Sequence, residues 1–259
     1  MILDDIIKTK KAEVEQLKKT LHSRQDLNLS GLPRPLSLAK AIKKQGIALI
    51  AETKAASPSA GVFMKNYDPA KIAREYESAG ADAISVLTDP VYFMGSVNHL
   101  RMVKSAVLIP VLRKDFIIDE SQIYESRLIG ADAILLITRI LATDVLRRLL
   151  RTAESVGLGA LVEVTTSEEA RLAIGMGAEM IGINNRDLDT LSVDLSRTVN
   201  ILREVPGLKD KIVVSESGIK TRKDVIALSG SGVNAILVGE TLLKSHDISE
   251  KIEELTGSL

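Results

Sequence analysis

The sequence predicts an α/β fold, a single (β/α)8 barrel carrying an N-terminal helical extension. Three observations predict it: a four-fold internal echo, aliphatic runs that alternate with helical segments, and a length sufficient for one large core. The chain has 259 residues, 45% of them hydrophobic, which suits a single domain and excludes wholesale disorder. The echo reads Gly80-Ala81-Asp82-Ala83-Ile84, Gly130-Ala131-Asp132-Ala133-Ile134, Gly177-Ala178-Glu179-Met180-Ile181 and Gly232-Val233-Asn234-Ala235-Ile236. In each copy a glycine ends a helical stretch, and a small residue and a polar residue lead into an aliphatic run. Glycine fits a left-handed helix terminus, and the run fits a strand buried on both faces. The glycines lie 50, 47 and 55 residues apart. One strand–helix unit of a barrel takes roughly 25–30 residues, so each period holds two units.

Residues 1–46 precede this repeat. Residues 2–21 read as an amphipathic helix rich in Lys and Glu, residues 36–44 as a second, with Arg34-Pro35 breaking the chain between them. Two helices of that size make no core of their own, so they are expected to pack on the barrel, with residues 1–259 forming one domain. The strands follow at residues 47–52, 84–88, 110–114, 134–137, 160–164, 180–184, 212–216 and 236–239. Helical periodicity occupies the intervals, for example at 69–79, 121–128, 144–156, 167–176 and 222–228. An open doubly wound sheet is the competing arrangement; the even repeat over the whole chain favours closure into a TIM barrel.

Composition removes whole classes of function. The 34 basic and 34 acidic residues cancel, which argues against a surface built for nucleic acid or anionic lipid. The absence of Cys excludes a thiolate metal site and a cysteine nucleophile, and His22, His99 and His246 are too scattered for a histidine-rich metal site. No apolar run reaches the length of a membrane span, and the acidic start at Asp4-Asp5 lacks the pattern of a signal peptide. A soluble cytoplasmic protein is expected.

In such barrels the active site lies at the C-terminal ends of the strands. Here those ends read Glu52-Thr53-Lys54, Arg113-Lys114-Asp115-Phe116, Glu163, Asn184-Asn185-Arg186-Asp187, Ser215-Glu216-Ser217-Gly218 and Gly239-Glu240. Taken singly, Lys114 reads as a solvated loop residue, Arg186 with Asp187 as a structural ion pair, and the two Asn as turn formers. Six of eight strands ending this way points instead to a charged cluster at the rim of a greasy barrel, its members neutralising one another. Burial and cationic neighbours are expected to lower the Lys pKa values and burial to raise those of Glu, so that both exchange protons near neutral pH. Ser217-Gly218-Ile219 and Gly239-Glu240-Thr241 fall in the loops after strands seven and eight, where barrels often hold phosphate on backbone N–H groups. Ser57 is placed to add a hydroxyl. Tyr67, Tyr92, Phe93 and Phe116 are notable because aromatics make up 3% of the chain. They read either as rim packing or as an apolar wall for a flat substrate.

Ala51-Glu52-Thr53-Lys54 with Ser57-Pro58-Ser59, Leu87-Thr88 with Tyr92-Phe93 and Gly95-Ser96, and Lys114-Asp115-Phe116 resemble the indole-3-glycerol-phosphate synthase family. So do Leu161-Val162-Glu163-Val164, Gly182-Ile183-Asn184-Asn185-Arg186-Asp187-Leu188 and Ser215-Glu216-Ser217-Gly218-Ile219, all in order. The resemblance implies conversion of 1-(2-carboxyphenylamino)-1-deoxyribulose 5-phosphate to indole-3-glycerol phosphate, with loss of carbon dioxide and water and no metal or organic cofactor. It implies that Lys114 is the general acid on the ketone oxygen, that Glu163 assists loss of the hydroxyl, and that Lys54 steers the anthranilate carboxylate. The division of proton transfer between the two lysines stays open. By the same resemblance Glu52, Asn184 and Glu216 position the lysines and substrate hydroxyls, and Arg186 and Ser217 are further pocket residues. Ser57, Gly218, Gly239 and Glu240 match the phosphate region, while Phe116, Leu135 and Phe93 match the walls around the aromatic ring.

The chain departs from many relatives at Ala55-Ala56 and Ala60, where basic residues are frequent, and at Thr165-Thr166, where a His often follows the fifth-strand Glu. None of these departures removes a residue to which the resemblance gives a chemical role, so they are expected to bear on affinity more than on activity. A fused second barrel, present in some relatives, is not expected within these 259 residues. A Schiff-base aldolase acting through Lys114 or Lys54 and a catalytically silent metabolite-binding barrel are the rival readings. The expected partner is a small phosphorylated substrate, with no nucleic acid or membrane, and the chain is expected to act as a monomer or weak homo-oligomer.

Overall fold

Eight parallel strands close on one another, each hydrogen-bonded to the next and the last to the first. They are β1 (Ala48–Thr53), β2 (Ala83–Leu87), β3 (Val111–Lys114), β4 (Ala133–Ile137), β5 (Gly159–Val164), β6 (Met180–Asn184), β7 (Ile212–Glu216) and β8 (Ala235–Val238). The computed structural model describes residues 2–21, 29, 31–58, 61–64, 66–187 and 189–257; His22, Ser59, Ala60 and Leu188, noted above, lie outside them. The helices α1 (Ile2–Thr20) and α2 (Leu38–Ile42) precede the barrel. Seven more follow β1 to β7 in turn: α3 (Pro69–Ser78), α4 (Val97–Lys104), α5 (Glu120–Leu128), α6 (Thr143–Ser155), α7 (Ser167–Gly175), α8 (Ser196–Glu204) and α9 (Arg222–Ser229). After β8 come α10 (Glu240–Leu243) and α11 (Ile248–Thr256).

The closed barrel, not the open sheet, is therefore the architecture, and it has an N-terminal helical segment. Several strand ends move by a residue from their expected positions, for physical reasons. Pro110 has no N–H to give the ladder, so β3 starts at Val111. Gly239 leaves the strand to cap α10. The helix expected at 36–44 shrinks to α2, because the Ser37 hydroxyl accepts the Lys40 N–H and starts the helix late. A two-stranded hairpin, Ala56–Ser57 against Gly61–Val62, follows β1. Alternation had no means of marking it in so short a segment.

Local chemistry explains where the helices begin. Asp68, Ser96, Asp119, Thr166, Thr221 and Asp247 each accept a backbone N–H from the first turn of the helix that follows, satisfying donors the helix itself leaves free. The echo glycines end helices as expected, with φ of 99° at Gly80, 89° at Gly130, 88° at Gly177 and 98° at Gly232. The polar residue of the echo has a separate task. Asp82 accepts the Leu49 N–H, Asp132 the Val111 N–H and Asn234 the Val213 N–H, each at 2.8 Å. Each side chain at the foot of an even-numbered strand thus pins the odd-numbered strand before it, which accounts for a period of two units. Exposed Glu179 stands outside this pattern.

Ile50, Leu112, Leu135, Leu161, Val214 and Leu237 fill the barrel interior, and Leu38 and Ile42 of α2 join the same cluster from below. A second cluster fills the space between strands and helices. With the lower interior closed and apolar, the charged groups of the cavity gather at the upper rim.

Candidate active site

The upper rim surrounds a cavity of about 1180 Å³. Into it β1 sends Glu52 and, from the residue just past its end, Lys54, while β3 sends Lys114, β5 Glu163, β6 Asn184 and β7 Glu216. The Lys114 ammonium lies 3.1 Å from Glu163 Oε2 and 3.4 Å from Glu216 Oε2. Asn184 donates from Nδ2 to the other Glu163 oxygen at 3.1 Å, and Lys54 pairs with Glu52 Oε1. Tyr76 donates to the Glu52 carbonyl at 3.2 Å, so β1 is held from outside just where its carboxylate turns inward. These six of the residues expected at the site line one cavity.

Two glycines make this crowding possible. A Cβ at Gly182 would collide with the Glu216 carboxylate, and one at Gly239 would stand 2.6 Å from Glu52 Oε1. Neither position admits a side chain while those carboxylates keep their places.

The charges do not follow the expected pattern throughout. Burial disfavours the charged form of Lys114, but the carboxylates of Glu163, Glu216 and Glu52 outweigh it and hold the ammonium well above the usual lysine range. The expectation of a lowered lysine is thus reversed at Lys114, because its close neighbours are anions. Glu216 behaves as expected: burial, reinforced by Glu163 and Glu52 against the pull of Lys114, pushes its carboxyl up to about 8. Neither Glu216 oxygen accepts a hydrogen bond among the described residues.

Phe93 and Phe116 face each other across one side of the cavity, ring centroids 6.2 Å apart and tilted by 40°, with Leu87 and Leu135 beside them. Ser57, Ser217, Gly218, Gly239 and Glu240 line the same cavity. The turn after β7 carries φ of 67° at Ser217 and 83° at Gly218; left-handed backbone at a residue with a side chain is costly and collects at functional turns. Thr241 donates to the Ile219 carbonyl at 2.7 Å, tying this turn to the loop after β8. The Glu240 carboxylate is taken by Lys244 at 2.6 Å.

Some expected members sit elsewhere. Arg186 lines the cavity, yet its guanidinium donates to the Leu191 carbonyl at 3.0 Å, and Asp187 pairs with Arg197 instead. Arg113 lies behind the rim, bonded to Thr88, Ser126, Asp115 and Glu125. Asn185 is a buried strut, donating to Ser215 Oγ and to the Glu216 and Ser217 carbonyls. Tyr92 meets Thr9, and Tyr67 meets Thr53 and His99, so the rim-packing reading holds for both tyrosines.

Sequence reasoning missed the contribution of α1, whose Leu3 and Ile6 line the cavity. It also missed Lys10, almost fully buried, 3.0 Å from Asp89 and 2.9 Å from Asp115. A signal was present. Ile6, Lys10 and Val14 fall on one helical face, and a lysine in the middle of an apolar stripe needs a buried partner.

Solved structures share the architecture: a thiamine phosphate pyrophosphorylase from Pyrococcus furiosus superposes with a TM-score of 0.61 at 19% identity, covering 81% of this chain and 93% of that one. A 3-hexulose-6-phosphate synthase from Salmonella typhimurium does so with a TM-score of 0.63 at 16% identity, covering 81% and 96%. These likenesses concern the fold alone. Sequence comparison is more specific. The model of the indole-3-glycerol phosphate synthase family matches residues 3–255. The indole-3-glycerol phosphate synthase of Endomicrobium trichonymphae is 49% identical over 258 residues, 98% of this chain and 99% of that protein. That of Thermoanaerobacter sp. (strain X514) is 44% identical over 254 residues, 98% and 96%. With the match running nearly from end to end, the chain belongs to the indole-3-glycerol phosphate synthase family.

Proposed function

We propose that the rim cavity performs the family's reaction with Lys114 as its acid, Glu163 as the second proton carrier and Lys54 as the carboxylate anchor. The chain is a lyase of tryptophan biosynthesis that decarboxylates its substrate and closes the indole ring. In this reading Ser57, Gly218, Gly239 and Glu240 seat the phosphate, the last three through backbone N–H groups. Phe93, Phe116 and Leu135 hold the aromatic ring. As the ring carbon bearing the carboxylate bonds to the ketone carbon, Lys114 gives its proton to the ketone oxygen. Carbon dioxide then leaves from the ring carbon, returning its electron pair to the ring. Glu163, held by Asn184, gives the hydroxyl a proton so that it departs as water, and the methylene carbon beside the nitrogen loses a proton to a rim carboxylate as the double bond of the indole ring forms. Glu52 and Glu216 orient the lysines and the substrate hydroxyls, with Arg186 and Ser217 completing the pocket.

One observation carries this reading: an ammonium ringed by three carboxylates, two of them within 3.4 Å, at the mouth of an apolar barrel. The same anions disfavour the aldolase alternative, since Schiff-base formation requires an unprotonated amine and they keep Lys114 charged. No helix among the described residues is long and apolar enough to cross a membrane. The reading places the enzyme in the cytoplasm as a monomer or weak homo-oligomer, using side-chain chemistry on a small molecule. The test is indole fluorescence with Lys114→Ala: turnover is expected to fall roughly 100- to 10,000-fold while substrate still binds. Turnover at the normal rate would remove Lys114 from the acid role.

A further inference from the structure

We propose that Lys10 of α1 is a positioning residue that locks two loops of the mouth, the one after β2 and the one after β3, and thereby aligns Lys114 and both aromatic walls. The ammonium lies 3.0 Å from Asp89, 2.9 Å from Asp115 and 2.6 Å from Glu13. Lys10, Asp89 and Asp115 are 2%, 0% and 4% exposed, so this is an interior charge cluster reached from outside the barrel. Asp115 directly follows Lys114. Its carboxylate also accepts the Phe116 N–H at 2.8 Å, the Thr88 hydroxyl at 2.6 Å and the Arg113 guanidinium at 3.1 Å. Thr88 in turn donates its N–H to the Lys114 carbonyl at 3.1 Å. Asp89 accepts the Tyr92 N–H at 2.7 Å through Oδ1, and its carbonyl accepts the Gly95 N–H at 2.7 Å, so it shapes the turn that presents Phe93.

The two aspartates differ in their dependence on Lys10. Asp115 keeps Arg113 if Lys10 is lost. Asp89 Oδ2 accepts no hydrogen bond among the described residues and has the Lys10 ammonium as its ion-pair partner. A buried carboxylate deprived of its cation either takes up a proton or moves, and movement here displaces Phe93 from its place 6.2 Å from Phe116. A residue outside the barrel thus controls both halves of the aromatic grip and the backbone on either side of the acid.

This inference rests on the assignment of Lys114 as the acid. The experiment compares wild type, Lys10→Met, Lys10→Arg, the double variant Lys10→Met/Asp89→Asn and Lys114→Ala by indole fluorescence, with unfolding midpoints measured in parallel. Lys10→Met is expected to lower kcat at least tenfold and to raise KM, and Lys10→Arg to recover most of both. Should Lys10→Met not fold, the double variant, relieved of the orphaned carboxylate, is expected to fold and still show the low kcat. Folded Lys10→Met or double variant with wild-type kcat and KM, whatever the shift in midpoint, would reduce Lys10 to a structural clamp and overturn the proposal. Full turnover in Lys114→Ala would overturn the acid assignment instead, whatever Lys10 does.

Discussion

At the scale of single residues, the site is governed by an excess of buried anions over cations. Glu52, Glu163 and Glu216 are 4%, 2% and 1% exposed, and their acidic neighbours keep Lys114 protonated while Glu216 is pushed toward its neutral form. That has a consequence for stability. A carboxyl that binds its proton more tightly in the folded chain than in the unfolded one adds stability in acid and loses it as pH rises through the gap between the two pKa values. For Glu216 the gap runs from 4.5 to about 8. Urea unfolding at pH 5 and pH 8 is therefore expected to show wild type losing stability relative to Glu216→Gln as pH rises. A constant difference between the two proteins would mean that Glu216 is already ionised in the folded state at pH 5. Gly182 belongs to the same account: its missing side chain is the space Glu216 occupies.

At the scale of elements, the two ends of each strand do different work. The lower ends carry the pins, of which Asp132 is the busiest: it accepts the Val111 N–H at 2.8 Å, the Leu36 N–H at 2.7 Å and the Lys104 ammonium at 2.6 Å. Asp132→Ala leaves these donors unpaired, and each buried one costs about 1–3 kcal/mol. The variant is expected to lose about 2–4 kcal/mol in denaturant unfolding with kcat and KM unchanged. A changed kcat in the folded variant would show that the lower ring reaches the chemistry. At the upper ends, α1 is the element that joins the extension to the site, through Leu3, Ile6 and Lys10, whereas α2 joins it to the lower core through Leu38 and Ile42.

At the scale of the molecule, the barrel was legible because its period and its glycines are local signals repeated four times, and the rim was legible because polar residues at the ends of aliphatic strands are conspicuous. Glu163 between Val162 and Val164 is the clearest case. What depended on long-range packing was not legible: that Arg186 spends its guanidinium on its own loop, and that Lys10 crosses from another element to the mouth. The sign of the Lys114 shift was also hidden, since it depends on how many anions converge, which only the closed barrel decides. The central claim is that Lys114 and Glu163, 49 residues apart in the chain and 3.1 Å apart in space, act as one proton-transfer unit. Its most direct test is a double-variant cycle of kcat/KM for Lys114→Met, Glu163→Gln and the pair. Residues acting as a unit are non-additive, so the pair is expected to be scarcely worse than the more damaged single variant; losses that multiply would contradict the account.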